Sequence, residues 1–336
     1  MANPPEKLPA KFNEISTLVS NPFNDQSLRT VALDYPGVLY SFDGGKHWQA
    51  TNMFANLAKI KFFPSDSSII YGYAGNHNFI TPPENIPPDS EMDPLFGLYR
   101  SVDGGLHWNQ LESDQVKGKC IASFEVDPRD PGILYVSMCN GKMLKSLDGG
   151  NSWEALGGGL PGFPALSIEV SKAYPATLFA GLGYLFPTFG EGLYKSVDGG
   201  ETWVRLTAGL EPNGLFRDIA IDPENDSVVY IADNFNGVFV TANGGDTWQD
   251  LNDGIDHREA NVLELSADGR VLYLGTEGGG IYRLGEVSVT PTHISINKHG
   301  NDEIFIHPGF PNPFTELTTL NFTVLNRVDI QITIYN

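Results

Sequence analysis

Charge is scarce in this chain, and positive charge most of all. Of 336 residues only 18% are Asp, Glu, Lys or Arg, and 21 Lys and Arg face 41 Asp and Glu, for a formal net charge of −20. A chain so negative repels phosphate, which excludes general nucleic-acid binding. Cysteine is nearly absent, and two residues cannot build a disulfide scaffold. No apolar run approaches the roughly 18 residues of a membrane-crossing helix. Runs of Ala, Glu, Lys and Leu are few, which argues against bundles and coiled coils. Missing too are His/Cys clusters at metal-ligand spacing, a GxxxxGKS/T phosphate loop and a GxSxG nucleophile elbow. No metal and no cofactor is therefore expected. The acids are scattered rather than blocked, so they read as a solvated, self-repelling surface.

Glycine (37 residues) and aromatics (11%) are plentiful, and they organise a repeat. Five segments align without gaps: SFDGGKHW (41–48), SVDGGLHW (101–108), SLDGGNSW (146–153), SVDGGETW (196–203) and TANGGDTW (241–248). Each ends on one of the five Trp, so Trp48, Trp108, Trp153, Trp203 and Trp248 stand 60, 45, 50 and 45 residues apart. An apolar strand precedes each segment, two β-rich runs separated by a Pro or Asp turn lie upstream, and a short outer strand follows. A unit of strand a, turn, strand b, loop, strand c, hairpin and strand d at this period is a propeller blade. Six units are recognisable, at 12–55, 56–112, 118–157, 163–209, 214–252 and 259–287. The last lacks the hairpin segment, as end units often do. The expectation is an all-β propeller of four-stranded blades over 12–287, six recognisable and a seventh left open.

The hairpin chemistry reads as structural. Asp43, Asp103, Asp148 and Asp198 are placed to accept backbone N–H groups inside the turn, and Asn243 offers the same oxygen without charge. Paired glycines supply positive φ, and each Trp buries a large ring. A motif present in every blade is what a fold needs, whereas a catalytic site is not repeated five times. The segments match Ser-x-Asp-x-Gly-x-Thr-Trp, and over 12–287 the chain resembles the Asp-box β-propellers: sortilin-type receptors, photosystem II assembly factors, sialidases and xyloglucan-active glycoside hydrolases. The resemblance fixes fold more than function, since one fold hosts many sites. A sialidase implies a three-Arg cluster, a Tyr nucleophile and an Arg-Ile-Pro segment, and no Arg-Ile-Pro occurs. The xyloglucan-active enzymes are built from two propellers with a catalytic cleft between them, and this chain carries one.

The tail departs from the repeat. Residues 288–307 read as a linker. Residues 308–336 begin with FPNPF (Phe310–Phe314) and end with Ile330–Asn336, which resembles the start of a type IX secretion C-terminal sorting domain, a short β-sandwich on exported bacterial proteins. The resemblance implies secretion machinery as a partner and an extracellular or cell-surface location. Residues 1–20 show no basic region followed by an apolar one, so no signal peptide is read and an exported product implies trimming.

Strand direction places the a–b turns and hairpin segments on one face, and the b–c loops and d–a connections on the other. In the resembled enzymes the active site lies away from the hairpin boxes, so the second face is the functional expectation. Two of its b–c loops are enlarged, Gly75 to Gly97 and Gly181 to Gly192, and long loops on rigid scaffolds carry function. They supply His77, Phe79, Phe96, Tyr184, Phe186, Phe189 and Glu191. Asp34, Asn76, Asp93, Asp233, Asn234, Glu277 and the stretch His257, Arg258, Glu259 share the face. Aromatic loop tips suit sugar rings or a protein partner, which makes Phe79, His77, Phe96, Tyr184, Phe186, Phe189, Glu191, Asp233 and Arg258 the ligand-binding candidates. A glycosidase needs two carboxyls ~5–9.5 Å apart, and no pair is selected by the sequence. Cys120 opens strand a of the third unit and Cys139 ends strand b. A register that sets Val126 opposite Ile133 also sets the two cysteines opposite each other, at disulfide range. The reading is a secreted, non-enzymatic binding or scaffolding propeller for protein or polysaccharide ligands, with a glycoside hydrolase and a surface-layer component as alternatives.

Overall fold

A computed structural model describes residues 15–286 except 33–34, 54, 56, 76–84, 86–91, 174–175, 186, 267–268 and 270, and beyond 286 only four short strands. The described residues hold no α-helix. Blade 1 is β1 (Ile15–Asn21), β2 (Asn24–Ala32), β3 (Tyr35–Ser41) and β4 (Gln49–Ala50). Blade 2 is β5 (Leu57–Phe63), β6 (Asp66–Ala74), β7 (Gly97–Ser101) and β8 (Asn109–Gln110). Blade 3 is β9 (Ile121–Val126), β10 (Leu134–Met138), β11 (Met143–Ser146) and β12 (Glu154–Leu156). Blade 4 is β13 (Ala165–Val170), β14 (Leu178–Tyr184), β15 (Phe189–Ser196) and β16 (Val204–Leu206). Blade 5 is β17 (Phe216–Ile221), β18 (Val229–Asp233), β19 (Gly237–Thr241) and β20 (Gln249–Asp250). Blade 6 has three strands, β21 (Ala260–Leu265), β22 (Val271–Thr276) and β23 (Gly280–Glu286). All are antiparallel meanders in chain order. The tail holds β24 (Ile294–Ser295), β25 (Ile304–Ile306), β26 (Phe322–Val324) and β27 (Thr333–Ile334), with β24 paired to β27 and β25 to β26. Residues 310–314 of the tail motif lie outside the described residues.

The first strands of the blades surround a central channel. Lys61 of blade 2 reaches Glu125 of blade 3 at 2.7 and 2.6 Å and Glu169 of blade 4 at 3.4 Å. Glu264 of blade 6 lies close enough to feel Lys61 and Lys59 across the channel. Core clusters form between blades, each apolar side of one sheet meeting the next, as when Leu98 and Tyr71 of blade 2 pack on Ile121, Phe124 and Val136 of blade 3.

The hairpin segments explain why the turns form. In SVDGGETW the Ser196 hydroxyl donates to Asp198 Oδ1 at 2.8 Å and accepts the Gly200 amide at 2.9 Å, while Asp198 Oδ1 accepts the Thr202 amide at 2.9 Å. Gly199 and Gly200 stand at φ of 77° and 92°, the left-handed region that costs a glycine nothing. The Gly199 amide then donates to Ala176 O at 2.8 Å, tying the hairpin to the a–b turn of its own blade, so both lie on one face. Asp148 and Asp198 are held down at about 2 by hydrogen bonds from the hydroxyl and amide of Ser152 and of Thr202. In the fifth copy Asn243 Oδ1 accepts the Thr247 amide at 3.0 Å. Trp108, Trp153, Trp203 and Trp248 pack back on the preceding blade: Trp203 joins Tyr135 and Met143 of blade 3, and its Nε1 donates to Gly200 O at 2.9 Å.

Cys120 and Cys139 form a disulfide across the a and b strands of blade 3, with Cα atoms 5.5 Å apart. The ladder does not run in the single register read from sequence. Val126 pairs with Leu134, not Ile133, and a bulge at Ala122 shifts the pairing so that Met138 meets Ile121. The Cys139 amide donates to Cys120 O at 3.0 Å just beyond it. The bridge closes a loop of sequence separation 19, so replacing both cysteines with serine should cost about 3 kcal/mol in urea unfolding. An unchanged midpoint would contradict that.

Candidate functional site

A bulge at the same place marks the first strand of every blade, leaving Ser16, Ala58, Ala122, Leu166, Arg217 and Asn261 unpaired near the d–a end. Bulges re-aim side chains next to sites. In blade 5 the bulge aims Arg217, whose Nη1 donates to Asn234 Oδ1 at 3.3 Å. Burial lowers its pKa, while Glu277, Asp218 and Tyr73 pull the other way. This guanidinium lies within electrostatic reach of Glu277 of blade 6 on the b–c/d–a face.

On the same face, the connections after β16 and β20 and the β18–β19 turn border an open cavity of about 420 Å³ lined by Gly209, Leu210, Glu211, Asn236, Phe239, Asp250, Asn252 and Arg258. Asn252 fixes its wall: its Oδ1 accepts the Val238 amide at 2.9 Å and its Nδ2 donates to Asn236 O at 3.0 Å. A Cβ on Gly237 would stand 2.0 Å from that Oδ1, so only glycine fits there. Glu211, Asp250, Arg258 and Asn236 offer acceptors and donors around the half-buried Phe239 ring. That mixture suits a polyhydroxylated ligand with one apolar ring face.

The structure sorts the expected site residues. Arg258 is exposed at the cavity. Asp233 is fully buried and satisfied, accepting Phe235 N at 3.0 Å and Asn236 Nδ2 at 2.9 Å, so it shapes the β18–β19 turn rather than facing a ligand. Glu191 is half-buried with Arg205 at 3.7 Å. The Gly181–Gly192 segment is less a loop than an extended hairpin, since the ladder continues to Tyr184 opposite Phe189. Gly190 makes that possible: a Cβ there would come 2.3 Å from Gly214 O. Tyr184 is buried on Phe163 at 4.9 Å, and Phe189 stacks on the same ring at 5.8 Å while staying partly exposed. Phe96 is half-buried against the Cys120–Cys139 bridge and Leu185. His77, Phe79 and Phe186, with Asp34 and Asn76, lie outside the described residues. Sequence reasoning missed Arg217, Glu211, Asn236, Phe239, Asp250 and Asn252. Glu211, Asn236 and Asn252 sit in short connections with no length signal, Phe239 and Asp250 lie in strands that read like those of every other blade, and only the recurring bulge marks Arg217.

The channel titrates. Burial pushes the Glu169 carboxyl up to about 8, against the pull of Lys61, with Glu125 and Asp218 adding to the rise. Burial raises Glu264 too, and Asp218 adds to it. An acid whose folded value lies above its unfolded ~4.3 makes the native state bind extra protons between the two, so stability should fall as pH rises across that window and level off above it. Lys61 is shifted upward, so its contribution persists throughout and is lost only above the ordinary lysine range. Urea midpoints from pH 5 to 8.5 should therefore decline, and Glu169→Gln should flatten the curve. A flat wild-type curve would refute the assignment.

No protein-family model matches the chain. It is 26% identical over 263 residues to the oligoxyloglucan-reducing end-specific xyloglucanase of Emericella nidulans, covering 72% of this chain and 31% of that one. The chain thus spans about a third of that relative's length. The GH74 enzyme of Niastella koreensis superposes with a TM-score of 0.64 at 17% identity, over 93% of this chain and 52% of the other. YCF48 of Cyanidioschyzon merolae gives 0.55 at 15% identity, over 88% and 92%. These structural likenesses establish the propeller fold. The xyloglucanase relative corrects the sequence-based choice of a non-enzymatic binding or scaffolding module. That choice rested on a single propeller with no selectable carboxyl pair, and the match backs the glycoside hydrolase alternative instead.

Proposed function

We propose that the chain is a propeller of a xyloglucan-active glycoside hydrolase, with its b–c/d–a face forming one wall of the substrate cleft. The observation that carries this is the similarity over 263 residues to a xyloglucanase, supported by a polar cavity with exposed acids on the face opposite the hairpins. Xyloglucan is neutral and polyhydroxylated, so carboxylates, amides and an arginine recognise it without a phosphate-binding charge. The carboxyl that this wall contributes is sought among Glu191, Glu211, Asp250 and Glu277, and hydrolysis needs a second ~5–9.5 Å away. The five Ser/Thr-x-Asp/Asn hairpins are read as Asp boxes that hold the wall rigid. Residues 308–336 are read as a sorting-type module that engages secretion machinery, which places the enzyme outside the cell with its polymer.

The test uses the purified chain in affinity electrophoresis through a xyloglucan gel and in a reducing-end assay. Retardation is expected from the chain alone, whereas product release requires the facing wall that carries the second carboxyl. A folded chain that does not bind xyloglucan contradicts the reading.

A further inference from the structure

Blade 3 has a short b–c turn between two blades with enlarged ones. Ser137 pairs with Met143, so the chain turns within Met138 to Lys142, whereas Gly75 to Gly97 and Gly181 to Gly192 stand at the corresponding places in blades 2 and 4. The Cys120–Cys139 bridge lies at the base of the short turn. A small apolar cluster gathers on it from all three blades. Met92 of blade 2 and Ala122 are buried with the two cysteines, and Phe96 of blade 2 with Leu166 and Leu185 of blade 4 pack against them. Ala122 and Leu166 are the bulge residues of their blades, so two of the recurring bulges turn side chains toward the bridge.

Blade closure does not explain the bridge. The same strand ends are joined by a backbone hydrogen bond in four blades: Cys139 N to Cys120 O at 3.0 Å, Gly183 N to Pro164 O at 3.0 Å, Asn234 N to Leu215 O at 2.9 Å and Glu277 N to Glu259 O at 2.9 Å. Blades 4, 5 and 6 hold those ends without cysteine. The covalent link sits instead where segments of blades 2 and 4 meet across blade 3.

We propose that Cys120 and Cys139 are a positioning pair for the ligand face: their bridge is a fixed apolar anchor that sets the enlarged segments of blades 2 and 4 on either side of the blade 3 turn. In blade 2, Leu95 N donates to Asp93 Oδ1 and Phe96 N to Asp93 O, both at 2.9 Å, so Met92 and Phe96 grip the anchor from the two ends of one compact turn. In blade 4, Leu185 carries the effect into the hairpin end. Its carbonyl accepts the Thr188 hydroxyl at 3.2 Å, and its neighbour Tyr184 shares the Phe163 ring with Phe189. Two serines would place hydroxyls in this apolar cluster and let the side chains part. The backbone bond keeps β9 and β10 paired, so the slack falls on the segments that lean on the bridge. The role in ligand binding rests on the glycan reading above; the anchoring does not.

The test compares the full chain with Cys120→Ser/Cys139→Ser and with Leu272→Ala, which lowers global stability from the core between blades 5 and 6. Loop amides exchange through local opening, so they read local positioning rather than global stability. Without ligand, amides of 95–97 and 188–191 should exchange about 10-fold faster in the serine pair, and at the wild-type rate in Leu272→Ala. The equivalent turns 234–237 and 277–280 should be unchanged in the serine pair. In the xyloglucan gel the serine pair should bind roughly 10-fold more weakly, because the competent arrangement is less populated, while Leu272→Ala binds as wild type. The proposal is overturned by unchanged loop exchange in the serine pair, by equal acceleration in Leu272→Ala, or by loosened loops with undiminished retardation. A serine pair that does not fold overturns it as well, since the bridge would then be holding blade 3 itself. A wild-type chain that is not retarded refutes the glycan reading alone, and the exchange comparison still decides the anchoring.

Discussion

Lys61→Met is expected to destabilise the propeller by about 3–5 kcal/mol, because it leaves a buried carboxylate without its counter-charge. Lys61 donates to both oxygens of Glu125, whose side chain is 2% exposed, and reaches Glu169 from the same ammonium. Three blades are thereby tied at the channel by one side chain. The cost lies in the orphaned acid rather than in the worth of the pair, which fixes a second result: adding Glu125→Gln to Lys61→Met should restore most of the loss. Urea unfolding of the two single variants and the double variant measures it. A single variant within about 1 kcal/mol of wild type would mean that water, not Lys61, compensates Glu125.

Trp203→Ala should cost about 3–5 kcal/mol, the range for a buried aromatic ring removed without collapse of its site. The ring lies between blades 3 and 4 with Tyr135, Met143, Ile168 and Leu178, and its indole N–H is satisfied by Gly200 O. Truncation opens the interface and frees the hairpin at once. Trp48→Ala should cost distinctly less, since that ring is half-buried. Equal losses for the two would contradict the interface account.

Much of this was legible in the amino-acid order. Five Trp-ending hairpins at near-constant spacing declare the blades, and the Ser, Asp and Gly of each segment are the atoms that build the turn. Asp233 shows where legibility ends. It has the residue type and the face of a ligand-binding acid, yet the Phe235 amide and Asn236 side chain of its own turn, with the Leu215 amide, consume it. The Cys120–Cys139 ladder shows another limit, because a single bulge at Ala122 shifts a register that residue counting treats as uniform. The cavity is assembled from three separate connections of two successive blades, so no local pattern announces Glu211, Asp250 and Arg258 as neighbours. The non-enzymatic reading failed for a related reason. On the proposed reading, a cleft shared with polypeptide facing this wall would leave no complete catalytic pair for one propeller's sequence to display.

Hydrogen–deuterium exchange of the chain with and without xyloglucan oligosaccharides tests the central claim most directly, since it reports which face meets the polymer. Amides of 206–215, 234–239 and 251–260, around the cavity, and of 92–97 and 182–191 on the same face should gain protection, with the five hairpin segments unchanged. Protection confined to the hairpin face, or none at saturating oligosaccharide, would contradict the account.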